Sequence, residues 1–444
     1  MLFNASLKFY FGALMNGLKI SLLLSIFWVG ALGRDMSLEE FSKLVERNSI
    51  ELIGKKAEFE SLLENQRSLI AWDYPYVETD VSMVKNNQGR LEPQTTALLM
   101  LVPKLPWVST MLYQSLHIKT AEYKKSYELS KNLVFIAAKR LYLNYVITKE
   151  KYDIYTQREN NYLSQLKIAK EKVDAGSMSK KDYINFKNSY LESRLAKTNV
   201  ESTLISLEKT LDTLLAIEEM NPDNANFGVF LDDAHRINVI GLGFEYVHMG
   251  DLELKKILDH SLYAGIIDLQ AKDYQTNAKL ANRDRFSALE VGAGVENANS
   301  STNVSLRVSI PLPVTPKNTH LKRKYMALQS GALAQSEVIK RNIRIQTNSY
   351  MSQLTNKEKY IRIQKENIKN KKHLMQMGKV AYEAQKIGLF EYLIYQNSYM
   401  DALIALADAK LDYVNTTALL EETLGQSLPN QTSENQAFSN TGEK

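Results

Sequence analysis

Leu289-Glu290-Val291-Gly292-Ala293-Gly294-Val295-Glu296, a polar turn from Asn297 to Ser301, then Val304-Ser305-Leu306-Arg307-Val308-Ser309-Ile310: this stretch decides the fold. Its period is two. Leu289, Val291, Ala293, Val295, Val304, Leu306, Val308 and Ile310 fall on one face of a β-hairpin, and Glu290, Glu296, Ser305, Arg307 and Ser309 on the other. A half-buried soluble hairpin gives the same alternation. Charges opposite a purely aliphatic face are also what a barrel wall needs when lipid lies outside and water inside. A weaker copy stands in the first half of the chain. Val77, Val81 and Met83 alternate there with Glu78, Asp80 and Ser82; a loop follows from Lys85 to Glu92, and Thr95 to Val102 is nearly all apolar.

Outward from the hairpins, prolines mark the organisation. They occupy positions 75, 93, 103, 106, 222, 311, 313, 316 and 429, leaving the tracts 107–221 and 317–428 free of proline. Both tracts are rich in strong helix formers, and each reads as two long helices joined at a tight turn. Segment 113–175 alone would extend about 95 Å at 1.5 Å per residue. The two halves repeat. An offset of 212 carries Val77-Glu78 onto Leu289-Glu290 and Gly176 onto Gly388. The best local match, Asp182 to Leu191 against Glu391 to Met400, has an offset of 209. Each half is therefore helix, hairpin, long helix, turn, helix, and a duplication on this scale governs the fold. The expected layout is a first repeat over 34–220 (hairpin about 75–103, helices about 107–220), a linker over 221–250, a second repeat over 251–425 (hairpin about 286–311, helices about 317–425), and a disordered tail over 426–444.

Before Arg34 the only charges are Lys8 and Lys19, and Ile20 to Leu32 is an apolar run too short to span a bilayer comfortably. With Ala31-Leu32-Gly33 at its end, residues 1–33 read as a signal peptide cleaved after Gly33; Met15 is an alternative start, and a membrane anchor is the competing reading. No later run of 18 apolar residues follows, so a membrane role would have to use β-strands. The chain has no cysteine, which excludes disulfides, thiolate metal sites and thiol nucleophiles. Its net charge of +5 is spread along the chain rather than gathered into a basic face, so no nucleic-acid partner is expected.

A duplicated chain of this kind with a signal peptide resembles the TolC-type outer-membrane efflux proteins over nearly all of residues 36–425. The resemblance is carried by Ser37-Leu38-Glu39-Glu40 at the first helix start and by the turn Gly176-Ser177-Met178-Ser179-Lys180-Lys181-Asp182. Its counterpart from Lys379 to Gly388 with Leu389-Phe390-Glu391-Tyr392-Leu393, and the closing Leu411-Asp412-Tyr413 through Leu424-Gly425, complete it. It implies a mainly α fold with a small β portion: a homotrimer with a shared twelve-stranded β-barrel continued by an α-helical coiled-coil tunnel. It also implies an outer-membrane location with the helices in the periplasm, and as partners a periplasmic adaptor protein, an inner-membrane RND-type pump and outer-membrane lipid. Ser309-Ile310-Pro311-Leu312-Pro313 resembles the heavy-metal (cobalt–zinc–cadmium) branch, against a drug and bile-salt branch. A periplasmic adaptor or a surface coiled-coil structural protein is the alternative; neither accounts for two alternating hairpins at equal offset.

Site candidates follow from this layout. Glu78, Asp80, Glu290, Glu296 and Arg307 are expected on the wet face of the barrel wall, where threefold symmetry would make each a ring of charge. Gly176, Met178, Ser179, Gly388, Leu389, Phe390 and Glu391 are expected at the helical tips as an adaptor-docking surface, the two glycines supplying the turn dihedrals. The family closes that end with acids for which this sequence has Ile394 and Asn397, with Glu391 alone nearby. The histidines at 117, 235, 248, 260, 320 and 373 lack metal-ligand spacing, and no nucleophile, phosphate loop or carboxylate pair stands out. No catalytic activity, metal or cofactor is expected.

Overall fold

The computed structural model describes residues 35–85, 89–215, 238–247, 251–284, 289–298, 301–312 and 314–428. The expected signal peptide, most of the linker and the tail beyond Leu428 lie outside these residues.

Local sequence signals start the helices. Ser37 accepts the Glu40 N–H (3.1 Å) and so caps the first helix, α1 (Leu38–Asn48). A second, α2 (Ile50–Ile70), leads to strands β2 (Tyr76–Lys85) and β3 (Leu91–Leu101). Pro106 then starts α3 (Pro106–Asp174), whose missing N–H falls where a helix has no partner to offer. With 69 residues, α3 is about 100 Å long. A turn returns the chain as α4 (Lys180–Leu215). The second half repeats this order: α5 (Asp251–Asp259), α6 (Leu262–Arg283), β5 (Glu290–Ala298), β6 (Ser301–Ser309), α7 (Lys317–Glu383) and α8 (Leu389–Leu424).

Strand β4 (Asn238–Ile240) pairs in parallel with β1 (Asp35–Ser37). Two buried tyrosines tie this middle region to the helices: the Tyr142 hydroxyl accepts the Val239 N–H at 2.9 Å, and the Tyr413 hydroxyl the Val247 N–H at 2.8 Å. The largest apolar cluster lies here, with Phe41, Tyr142, Leu211, Leu215, Val239 and Ala407 among its buried members.

The halves meet along α3 and α8, which run antiparallel. Lys139–Glu421, Glu150–Lys410, Lys151–Asp408 and Arg158–Asp401 form ion-paired rungs down this seam, and Gln165–Gln396 a hydrogen-bonded one. The rung at Lys139–Glu421 is buried, with an N–O distance of 2.8 Å. Glu421 also accepts the Leu428 N–H (2.7 Å) and the Ser427 hydroxyl (3.2 Å), and Leu428 is buried. Residues Gln426 to Leu428 are thus packed, not part of a loose tail: a buried carboxylate with spare lone pairs recruits the backbone that follows the helix.

Candidate functional site

The two hairpins join into one antiparallel sheet in the order β2-β3-β5-β6, with β3 beside β5. Directly paired residues share a face. The register places Val77, Leu99, Ala293 and Leu306 in one row, and Thr79, Ala97, Val295 and Val304 in the next. Their face is bare: Val77, Val81, Met83, Leu99, Val295, Val304, Leu306 and Val308 are all exposed. The opposite face carries the rows Tyr76-Met100-Gly292-Arg307, Glu78-Leu98-Gly294-Ser305 and Asp80-Thr96-Glu296-Asn303, with Glu290 opposite Ser309. All five charged residues singled out from the sequence therefore lie on this one face.

The polar groups on that face satisfy one another across strands. Arg307 pairs with Glu78, the Tyr76 hydroxyl donates to Glu290 at 3.1 Å, Gln94 donates to Glu296, and Ser305 donates to Glu296 at 3.0 Å. Two apolar side chains sit among them, Leu98 and Met100, both buried. Space for them comes from Gly292 and Gly294. A Cβ at Gly292 would stand 2.1 Å from the Met100 sulfur, and one at Gly294 1.9 Å from the Ala97 carbonyl oxygen. The near-continuous apolar run of β3 thus splits between the faces, and the facing glycines are the signal that it would.

At the distal end of the long helices the two turns superimpose with an offset of 209, not 212. Helix α3 ends at Asp174 and α7 at Glu383; α4 starts at Lys180 and α8 at Leu389. The bonds match as well: Gly176 N–H to Val173 C=O and Ser177 N–H to Lys172 C=O correspond to Gln385 N–H to Tyr382 C=O and Lys386 N–H to Ala381 C=O. The left-handed residues are Gly176 (φ 72°) and Gln385 (φ 56°). This corrects the expectation for Gly388. It is extended (φ −77°, ψ 162°) and stands where Ser179 stands in the first turn, at the helix N-cap. Ser179 caps α4 through the Asp182 N–H (3.1 Å), whereas Gly388 has no side chain with which to cap α8.

Leu389 is likewise not at the surface. It is buried with Ala169, Phe186 and Leu393, and Met178, Tyr183, Tyr382 and Tyr392 pack around them. Tyr382 and Tyr392 stack with ring centroids 5.6 Å apart. Phe390 leans on Phe186 (5.0 Å between centroids) yet remains 51% exposed. Gly176, Ser179, Gly388 and Glu391 are exposed and Met178 is half-buried; Ile394 is exposed, and Asn397 is half-buried. Glu391 accepts from the Tyr395 hydroxyl at 3.2 Å.

Three further residues were not visible as a group in the sequence. Trp72, Tyr74 and Trp107 are exposed beside the helix-side ends of β2 and β3. Among the described residues no helix is long and apolar enough to cross a membrane, and no group of three or more His, Asp or Glu side chains is placed to hold a metal ion.

No protein-family model matches this sequence, and no curated protein matches it. Solved structures do match. A membrane protein from Pseudomonas aeruginosa is similar at 12% identity and TM-score 0.71, over 89% of this chain and 92% of that one. The outer membrane protein VceC of Vibrio cholerae is similar at 9% identity and TM-score 0.66, over 88% and 97%. The Campylobacter jejuni CmeC outer membrane channel is similar at 12% identity and TM-score 0.65, over 90% of each chain. The chain therefore has the fold of the TolC-type outer-membrane channels, duplicated helix–hairpin–long helix–turn–helix with a small sheet.

Proposed function

We propose that this chain is the outer-membrane channel subunit of a tripartite efflux system, a passive conduit that is not an enzyme. The observation that carries this reading is the sheet. Its strands are 10, 11, 9 and 9 residues long, the length a tilted strand needs to cross a bilayer. One face is mainly apolar, with only Thr79, Thr95, Asn297, Thr302 and Lys85 polar and most of these toward the turn end, and the other holds every charge singled out above. Four strands cannot close by themselves, and open edges are not tolerated in lipid, so the reading requires oligomerisation. A homotrimer gives a twelve-stranded barrel with Glu78, Asp80, Glu290, Glu296 and Arg307 toward the lumen. Trp72, Tyr74 and Trp107 then form an aromatic girdle at the periplasmic interface.

The helices carry the conduit into the periplasm, and their tips meet an adaptor protein bound to an inner-membrane RND-type pump. Phe390, half of it exposed although it leans on Phe186, and the exposed Ser179 and Gly176 of the other tip supply the docking surface. Cargo selection belongs to the pump. The segment Ser309-Ile310-Pro311-Leu312-Pro313 favours metal cations over drugs as that cargo. Removal of residues 1–33 on export completes the reading.

Fractionation tests it. The protein should be found in outer-membrane fractions as a heat-modifiable trimer beginning at Arg34. A periplasmic or surface coiled-coil protein would instead be released without detergent. Cells lacking the gene should become sensitive to cobalt, zinc or cadmium; sensitivity to drugs and bile salts alone would reassign the cargo.

A further inference from the structure

The sheet leaves two edges unpaired among the described residues, those of β2 and β6. They suit each other. Their lengths are 10 and 9 residues, and successive antiparallel pairing makes them run in opposite senses. Their outward side chains are mainly apolar: Val77, Val81 and Met83 with Thr79 and Lys85 on β2, Val304, Leu306 and Val308 with Thr302 on β6. Facing inward, β6 has one charge, Arg307, and β2 has two, Glu78 and Asp80.

Within one subunit Arg307 reaches Glu78 although β3 and β5 lie between. Three strand spacings put those backbones about 14 Å apart on a flat sheet. Both side chains must lean across the inner face, over Leu98 and Met100. A second copy of this chain placing its β2 beside β6 would bring an acid within a single spacing, about 5 Å.

Barrel geometry chooses which acid. Strands in such barrels tilt by roughly 35–45°. With twelve strands about 4.8 Å apart and a rise of about 3.4 Å per residue, that tilt needs a stagger of about twelve residues around the barrel, or about four per subunit. A stagger of about two per subunit gives only roughly 20°, too flat. The row Tyr76-Met100-Gly292-Arg307 then continues into the next subunit four residues along β2, at Asp80. The opposite sense would lead to Trp72, outside the strand. In the chosen register Ser309 meets Glu78, Val308 meets Thr79 and Leu306 meets Val81, so every side chain of the joint keeps the face it has within the subunit.

We infer that Arg307 changes partner on assembly, from its own Glu78 in the single subunit to Asp80 of the neighbouring subunit in the closed barrel, and that this contact sets the register of the subunit joint. This rests on the channel reading above. A register error of one residue would turn every side chain of the joint to the wrong face, and a buried-side charge pair specifies against the two-residue slips that parity allows.

The chain has no cysteine, so paired substitutions report cleanly. Full-length protein carrying Asp80→Cys and Arg307→Cys, oxidised in outer membranes, should give covalent dimers and trimers on denaturing gels. Glu78→Cys with Arg307→Cys should give about fivefold fewer, because diagonal neighbours lie a further 2–3 Å apart. Equal yields, or more from the Glu78 pair, would overturn the register. Absence of any heat-modifiable trimer before oxidation would instead overturn the channel reading itself. As a second measurement free of cysteine, Asp80→Arg and Arg307→Asp should each lower trimer yield about threefold and the double exchange should restore it; a double variant no better than the singles would count against the pair.

Discussion

Arginine placed on one face of β6 or the other should have opposite consequences. Leu306 is 81% exposed on the apolar face, so Leu306→Arg meets no steric obstacle within the subunit. Its neighbour Ser305, at the centre of the strand Ser301–Ser309, points to the polar face and donates to Glu296 at 3.0 Å. Leu306 is one residue from that centre, about 3 Å from the bilayer midplane once the strand is inserted. Arginine at such a depth costs about 2–4 kcal/mol per subunit. At about 1.4 kcal/mol per tenfold, that is roughly a 30- to 1,000-fold shift against insertion, repeated in each copy. Ser305→Arg puts the cation in water beside Glu296, and its effect on insertion should stay within about 0.5 kcal/mol. The assay is the heat-modifiable trimer fraction in outer membranes at matched expression, with circular dichroism of purified protein to show that the helices still form. Equal tolerance of arginine at 305 and 306, or greater loss at 305, would refute the assignment of faces.

Other outcomes follow from particular contacts. Glu421→Ala strands Lys139 and the Leu428 N–H in a buried seam and should destabilise by about 3–5 kcal/mol, measured by thermal melting, while Lys139→Met with Glu421→Leu should cost much less. At the tips, Gly176→Ala should destabilise by about 1–2 kcal/mol and Gln385→Gly should be neutral or stabilising, because both positions are left-handed; Gly388→Pro should be mild, since its φ of −77° suits proline. Burial between α3 and α6, reinforced by the charge of Asp273 and partly offset by a hydrogen bond from Gln270, raises the Glu122 pKa above the ordinary glutamate value. Its favourable contribution is therefore full below the ordinary value and is lost as pH rises through the raised one, so Glu122→Gln should raise stability at neutral pH and flatten the profile across that window. Phe390→Asp should leave trimers assembled but abolish efflux, and crosslinks from Ser179 to a co-expressed adaptor should exceed those from Lys209.

Much of this architecture was written in local pattern. Alternation with period two put Glu78, Asp80, Glu290, Glu296 and Arg307 on a single face, and the proline-free tracts gave four long helices, because both signals act on neighbours in sequence. The misses are contacts that sequence cannot mark. The Lys139–Glu421 pair joins residues 282 apart. Identity matches Gly176 with Gly388, but the backbone matches it with Gln385, since a left-handed residue need not be glycine when the flanking bonds hold it. Leu389, expected in the docking surface from its place at a tip, is covered because the two hairpin tips pack against each other. The inward turn of Leu98 and Met100 was legible only through Gly292 and Gly294, whose missing side chains lie on a neighbouring strand nearly 200 residues away.

Electron cryomicroscopy of the mature protein in lipid nanodiscs tests the central reading most directly. Three copies should surround one axis, with β2, β3, β5 and β6 of each forming a closed twelve-stranded wall inside the lipid disc and α3 and α7 projecting about 100 Å to one side. A monomer whose sheet lies outside the disc, or an assembly in which Val291, Leu306 and Val308 face away from lipid, would contradict it.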